Sequence, residues 1–136
     1  MAAALVAVLA AGAARAADLD ITVTNVRNDH GHVRAQLCPK EQFLSTKCPW
    51  RASVPAAAGT VTVHITDVPP GVYAAQAYHD ENDNKKIDRS LLGIPEEGLG
   101  FSNDAPFRFG PPTFDDAAIQ LGPGGGRISL ALRYFN

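Results

Sequence analysis

Short segments in which apolar and polar residues alternate recur along most of this chain. In residues 20–26, Ile21 and Val23 alternate with threonines, and residues 60–66 repeat the pattern. Side chains of a β-strand point to opposite faces in turn, so this period of two predicts half-buried strands. The segments that predict strands are 20–26, 32–37, 60–66, 72–78, 117–121 and 128–134.

Turn-forming residues separate the predicted strands. The cluster 28–31 ends in Gly31, which tolerates positive φ, and it predicts that the first two strands form a hairpin. Residues 40–51 are typical of a loop with one helical turn, and residues 53–59 of a linker. Short strands between Gly and Pro turns favour an all-β fold, an antiparallel β-sandwich of about six to seven strands.

One long segment, residues 79–116, interrupts this pattern. It holds nine acidic and four basic residues, a net charge of −5, together with glycines, prolines and phenylalanines. Loops of this length without their own secondary structure are uncommon, and they are usually functional or disordered. We therefore expect any functional site to lie in this long loop.

The start of the long loop has the spacing of a calcium-binding loop. Calcium takes about six to eight oxygen ligands, and a loop that coils around an ion presents alternate side chains to it. Numbered from the first aspartate, side-chain ligands fall at positions 1, 3, 5 and 9, and a backbone carbonyl falls at position 7. The predicted ligands are Asp80, Asn82, Asn84, Lys86 through its carbonyl, and Asp88.

The match to a calcium loop is incomplete. Lys85 stands at position 6, where glycine usually makes the sharp turn, and Leu91 stands at position 12, where a bidentate glutamate is usual. The completing carboxylate would come from Glu96, Glu97 or Asp104. The alternative is a polar turn in which Asp and Asn side chains cap their own backbone. Both interpretations stay open at this point.

The aromatic residues of the long loop also have two interpretations. An exposed surface formed by Phe101, Asn103, Phe107 and Phe109 would bind a partner. Alternatively, the phenylalanines, with Phe114, fold back as a small second core. The second interpretation is favoured, because large apolar side chains are seldom exposed in patches.

The two cysteines and the first residues indicate export. Residues 1–16 form an alanine-rich stretch without acids that ends in Ala-Arg-Ala, which predicts a signal peptide. The stretch is too short for a membrane span, which needs about 20 apolar residues. Residues 17–136 are then a single periplasmic or secreted domain without an integral membrane segment. In an oxidising compartment Cys38 and Cys48 are expected to form a disulfide.

Charge and motifs exclude some functions. The net charge is −2 and no basic cluster occurs, so we expect no nucleic-acid partner. A hydrolase that uses His79 and nearby acids is one alternative, but the chain has no nucleophile motif. The leading hypothesis is non-enzymatic binding of an envelope or extracellular protein, peptide or glycan. A plain structural domain without a ligand is the third hypothesis.

The run HDENDNKKID, followed by GIPEEGLGFSN, FGPP and a closing strand ending at Tyr134, resembles the domain-of-unknown-function 2141 family of secreted bacterial proteins. The resemblance extends over residues 19–134, and it departs from the family at Lys85, where glycine is usual. It implies an exported Ig-like or transthyretin-like β-sandwich and carries no established catalytic activity.

Overall fold

Two facing β-sheets form the structure, a computed structural model that describes residues 16–135. Most of the predicted signal peptide, residues 1–15, lies outside the described residues. The part of the chain that is described contains eight strands, slightly more than the six to seven expected. They are β1 (Ala17–Val26), β2 (His32–Cys38), β3 (Trp50–Pro55), β4 (Gly59–Val68), β5 (Gly71–Asp80), β6 (Leu99–Phe101), β7 (Ala118–Leu121) and β8 (Gly126–Ala131).

The first sheet has the order β4-β1-β8, and the second has the order β3-β2-β5-β6, with β7 also pairing with β5. The all-β prediction is confirmed, while the Ig-like or transthyretin-like assignment stays a prediction. One pair departs from the antiparallel expectation, because β8 runs parallel to β1. A strand that crosses from the other sheet, as β8 does after β7, is not held antiparallel by a hairpin turn.

The predicted hairpin between the first two strands is wrong. β1 pairs with β4 and β8, whereas β2 pairs with β3 and β5, so residues 28–31 carry the chain between the sheets. Alternation specifies which face of a strand is buried but does not specify its partner. The positive φ expected at Gly31 is confirmed at 66°, and a Cβ there would lie 2.0 Å from the Asp80 carbonyl oxygen.

The predicted linker at residues 53–59 is also wrong. Residues up to Pro55 belong to β3, which pairs antiparallel with β2 and lies at the edge of its sheet. Proline and alternating small residues make the segment resemble a linker, but proline is tolerated on an edge strand, where one side needs no ladder hydrogen bond. Sequence reasoning also missed β6, which is only three residues long.

The main core lies between the two sheets and is built from the alternate apolar residues of the strands. Ile21, Val23, Val33 and Val63 are completely buried there. Tyr73, Ala75 and Ala77 of β5 also face this core. No helix within residues 16–135 has both the length and the apolar character needed to cross a bilayer.

A second core lies on the outer side of β5. It consists of Ala74, Leu99, Phe101, Ala105 and Ala117, and it is flanked by further partly buried aromatic residues. The flanking residues include Phe43, Phe107 and Phe114, and edge-to-face ring contacts of 5.7–5.9 Å link them and Phe101 in three pairs. The hypothesis of a small second core is therefore confirmed for the phenylalanines at 101, 107 and 114.

Phe109 is the exception, because its side chain is fully exposed. The exposed surface predicted for Phe101, in contrast, is wrong as stated, since only 1 % of that residue is accessible.

The predicted disulfide between Cys38 and Cys48 is confirmed. It joins the end of β2 to the loop that leads into β3, and both cysteines are buried. The expected helical turn in this loop is a 3₁₀ turn over Lys40–Gln42. The disulfide therefore ties the loop between β2 and β3 to the end of β2, in the second sheet.

Reducing this disulfide should lower the free energy of unfolding by about 3 kcal/mol, because it closes a loop with a sequence separation of 10. The measurement is the urea midpoint with and without a thiol reductant. The double variant Cys38→Ser/Cys48→Ser should match the reduced protein and be insensitive to the reductant. Equal midpoints for oxidised and reduced wild type would contradict the prediction.

Candidate functional site

Asp80, the last residue of β5, is a buried carboxylate paired with an arginine. Arg34, on the neighbouring strand β2, donates from its Nε to the carboxylate at 2.6 Å. The backbone N–H groups of Asn84 and Lys85 also donate to it, at 3.2 and 2.9 Å. Because Asp80 is completely buried, these donors compensate the loss of water around its charge.

Asn82, Asn84 and Asp88 converge at the mouth of the loop. Each asparagine donates from Nδ2 to the Asp88 carboxylate at 2.6 Å. The Oδ1 atoms of the asparagines accept from backbone N–H groups two residues further on. Such bonds are expected of a polar turn in which side chains cap their own backbone, the alternative to a calcium site. Hydrogen bonds from both amides lower the pKa of Asp88.

The sharp turn of the loop is made without glycine. Lys85, at the position where glycine is usual, has φ of 62°, and Asp83 has φ of 55°. Both lie in the left-handed region, which costs a non-glycine residue energy. The bond from the Lys85 N–H to Asp80 holds this conformation.

Glu97 joins the two ends of residues 80–88, the segment of the long loop that holds the predicted calcium ligands and that we call the acidic loop. Its carboxylate accepts from the N–H of Glu81 at 2.7 Å and from the N–H of Asp88 at 3.2 Å. Burial raises the pKa of Glu97, although these two hydrogen bonds act in the opposite direction. Of the three predicted completing residues, Glu97 therefore lies against the loop through direct hydrogen bonds.

The predicted calcium ligands are only partly brought together. Asp104 lies away from the loop, where its Oδ1 accepts from the N–H of Ala131. Glu96 is exposed beside the loop, and its N–H donates to the Asp88 carbonyl. In residues 16–135 no group of three or more His, Cys, Asp or Glu side chains is arranged to hold a metal ion.

His79 faces the interior of the sandwich and is completely buried. Its Nε2 lies 2.7 Å from the carbonyl oxygen of His30, and its Nδ1 has no hydrogen-bond partner in the described structure. A general base must come within hydrogen-bond distance of its substrate. The geometry therefore gives no support to the hydrolase alternative.

A groove with a volume of about 670 Å³ lies over the outer face of the second sheet; we call it the basic groove. Its floor includes Gln36, Gln76 and Tyr78, which come from the adjacent strands β2 and β5. Gln36 donates to the side-chain oxygen of Gln76 at 2.7 Å. The walls come from three segments, residues 44–51, 85–95 and 107–111.

Large apolar side chains line the basic groove while remaining open to solvent. Phe109 is fully exposed and Leu92 is 86 % exposed, and Leu44 and Ile94 are also exposed. Soluble proteins rarely expose apolar side chains in contiguous patches unless the patch binds something. The rings of Phe101 and Phe107 complete this apolar lining from below.

The charged residues that line the basic groove are all basic. They are Arg51, Lys85, Lys86 and Arg89, and no aspartate or glutamate is among the lining residues. A neighbouring depression of about 490 Å³ has the opposite character, because it is lined by Glu81, Asp88, Glu96 and Glu97 with a single arginine. The acidic loop thus separates two surfaces of different charge.

The predicted binding surface coincides with the basic groove only in part. Phe101, Phe107 and Phe109 line the groove, but Asn103 does not. The Asn103 amide instead donates to the carbonyl oxygens of Asp116 and Ala118. The floor residues and Arg51 were missed, since strands 40 residues apart in sequence meet only through the sheet topology.

Comparison of the sequence with models of known protein families gives a match. The model of a bacterial family described as "Uncharacterized protein conserved in bacteria (DUF2141)" matches residues 21–129. No curated protein and no solved structure gave a match. The matched range includes the acidic loop and all segments that line the groove except Phe135.

Replacing Asn84 with alanine should raise the pKa of Asp88 towards its ordinary value of 3.8, because one of the two amide donors is lost. A carboxylate whose pKa is lowered by folding stabilises the fold above its unfolded pKa, and this contribution is lost as the pH falls through the folded pKa. The measurement is an NMR titration of the Asp88 side-chain carbon.

The matched control is Asn28→Ala, since Asn28 donates to Glu81 and not to Asp88. Burial tends to raise the pKa of Glu81, but hydrogen bonds from Asn28 and Arg27 outweigh it and the pKa is lowered. The control should raise the pKa of Glu81 and leave that of Asp88 unchanged. An unchanged Asp88 pKa in both Asn82→Ala and Asn84→Ala would contradict the assignment.

Proposed function

This chain belongs to the uncharacterised bacterial family DUF2141, and from that premise we propose that it is a non-enzymatic binding domain whose ligand occupies the basic groove. The observation that carries the proposal is the concave apolar surface formed by Phe109, Leu92 and Ile94, which are exposed although they line a groove. Its volume of about 670 Å³ is within the range of ligand sites, about 300–1,000 Å³.

The lining chemistry favours binding over catalysis. Among the described lining residues there is no histidine, cysteine, aspartate or glutamate. General acid–base catalysis relies most often on histidine and on the carboxylates of aspartate and glutamate. Polar groups such as the Gln36–Gln76 pair are suited to orienting a ligand in a mainly apolar site.

The walls of the groove are held in place before any ligand arrives. The Cys38–Cys48 disulfide closes the loop that carries Leu44, and the second core supports Phe107. A site that is already formed loses less conformational entropy when it binds. This supports a ligand-binding role rather than a plain structural one.

We also propose that the domain acts in the periplasm or outside the cell, on an envelope or extracellular molecule. Two features support this location. Residues 1–16 have the pattern of a signal peptide. The disulfide between Cys38 and Cys48 is of the kind that persists in oxidising compartments.

A calcium ion that orders the acidic loop is a second part of the proposal. The support is the convergence of Asn82, Asn84 and Asp88. Rotating the two amide groups would turn oxygens instead of nitrogens towards an ion, since the two ends of an amide are nearly isosteric. Asp80 would contribute only if its pairing with Arg34 were rearranged.

Calcium should raise the thermal unfolding midpoint of residues 17–136, because an ion that binds only the folded state adds about 2.7 kcal/mol at a hundredfold excess over its dissociation constant. The test compares calcium with a chelator. Asp88→Ala should abolish the response, and the exposed Asp115→Asn, outside the acidic loop, should keep it. No shift up to millimolar calcium in the wild type would refute this part.

Small molecules with an apolar ring should bind the basic groove. In an ¹⁵N-labelled sample, a soluble fragment library should shift the amide signals of Thr46, Ile94 and Gly110 together. Phe109→Ser should weaken such binding about tenfold, or 1.4 kcal/mol, through loss of apolar contact. Leu91→Ser is the matched control, since Leu91 is fully exposed but does not line the groove.

Two results would count against groove binding. Shifts scattered over the surface, or confined to the first sheet, would place the binding elsewhere. Equal losses in Phe109→Ser and Leu91→Ser would show that general surface hydrophobicity, rather than the groove, determines the affinity.

A further inference from the structure

We propose that the ligand of the basic groove is a monomeric anionic amphiphile, a molecule with one carboxylate-type head group on an apolar body. This inference rests on the proposed function and specifies the ligand chemistry of the same site. It follows from the combination of basic side chains that form no salt bridge with exposed apolar side chains in one concave surface.

The charge of the basic groove favours an anionic ligand. Within residues 16–135, none of Arg51, Lys85, Lys86 and Arg89 forms a salt bridge. Three arginines elsewhere, Arg27, Arg34 and Arg127, do form salt bridges, as Arg34 does with Asp80 at 2.6 Å. Because the whole chain has a net charge of −2, the positive groove is a local feature. Lys86 is close enough to Asp88 to help lower the pKa of that carboxylate, but it forms no salt bridge with it. Basic groups without a salt-bridge partner beside an apolar surface favour an anionic ligand.

Hydrogen bonds to two loop carbonyl oxygens fix the orientation of Arg51. Its Nε and Nη2 atoms donate to the carbonyl oxygens of Cys48 and Thr46, at distances between 2.7 and 3.3 Å. These bonds hold the guanidinium group in place. Nη1 donates to none of the described residues, so its two N–H groups are available to an anion at the groove wall.

The size of the basic groove favours a small molecule over a protein partner. A protein partner buries about 800 Å² of each surface in an ordinary interface. The basic groove is instead enclosed by three short wall segments, with a volume of about 670 Å³ and aromatic rings at its base. These dimensions fit one small molecule. The apolar body would contact Phe107, Phe109 and Ile94, and the head group would lie near the basic side chains.

A bilayer surface is the competing occupant, because Leu91 and Leu92 are exposed side by side at the tip of the long loop. The two residues distinguish the cases. Leu92 lines the groove, whereas Leu91 does not. A monomeric ligand in the groove needs Leu92 only, while insertion of the loop tip into a bilayer would use both.

The test is isothermal titration calorimetry of oxidised residues 17–136 with three probes of equal chain length, octanoate, 1-octanol and octylammonium. All three are kept below the concentrations at which they aggregate. Octanoate should bind with one-to-one stoichiometry and at least tenfold more tightly than octanol, with octylammonium weakest. Added salt should weaken octanoate binding and leave octanol binding nearly unchanged.

Charge variants locate the head group. Lys86→Gln and Arg51→Gln should each weaken octanoate binding several-fold and leave octanol binding unchanged. The control is Arg127→Gln, because Arg127 lies on the first sheet with an 87 % exposed side chain. Arg51 also holds loop carbonyl oxygens, so Arg51→Gln could weaken binding by destabilising the loop. If its thermal midpoint is lowered, octanoate binding by Lys86→Gln is the test of the head-group position.

The outcomes separate this inference from the proposed function. Equal affinities for octanoate and octanol would overturn the anionic ligand and leave groove binding intact. Failure of all three probes and of the fragment library would overturn both. The bilayer would be the occupant if two results were found together. The protein would sediment with vesicles of phosphatidylglycerol and phosphatidylcholine, but not as Leu91→Ser, and it would show no saturable octanoate binding. That combination would refute the proposal.

Discussion

Burial of β5 on both of its faces is the constraint on which the rest of this structure depends. The strand pairs with β2, β6 and β7, and its inner residues face the main core. On its outer side, Ala74 lies in the second core, while Gln76 and Tyr78 lie on the floor of the groove. The alanines at 74, 75 and 77 are small enough for backbone and aromatic groups to approach closely on both sides.

The end of β5 has a different role from its middle. Asp80 accepts hydrogen bonds from Arg34 and from two backbone N–H groups, so a buried charge becomes the point from which the acidic loop departs. Glu97 then closes the loop through the N–H groups of Glu81 and Asp88. Together these two carboxylates order a polar segment that has few apolar contacts of its own. The groove wall at residues 85–95 is held by the same bonds, because Lys85 and Asp88 donate to these carboxylates.

Sequence patterns predicted most strands but not how they are arranged. Alternation located β1, β2, β4 and β8 because each buries mainly one set of alternate residues. It also located β5, although that strand is buried on both faces. It could not predict that β1 and β2 lie in different sheets, since both present apolar faces to one core. The edge strand β3 was not predicted, because proline and alanine, which occupy positions 55–58, have low strand propensity.

The candidate site was predictable only in its local parts. The acidic loop was found because its residues are neighbours in sequence, and the second core because its phenylalanines are close together. Sequence could not distinguish Phe109 from Phe101, although one is fully exposed and the other is 1 % exposed. The groove was missed because Gln36, Arg51 and Tyr78 come together only when β2, β3 and β5 pair.

The pairing of β1 with β8 has a consequence for how the chain acquires its structure. These strands, Ala17–Val26 and Gly126–Ala131, lie side by side although almost the whole domain separates them along the chain. Contacts between such distant segments form slowly, because a long intervening chain must first be ordered. During synthesis one edge of β1 therefore stays unpaired until the last strand emerges. An exposed strand edge of this kind is open to pairing with other chains, so the nascent domain is most prone to aggregation just before it is complete.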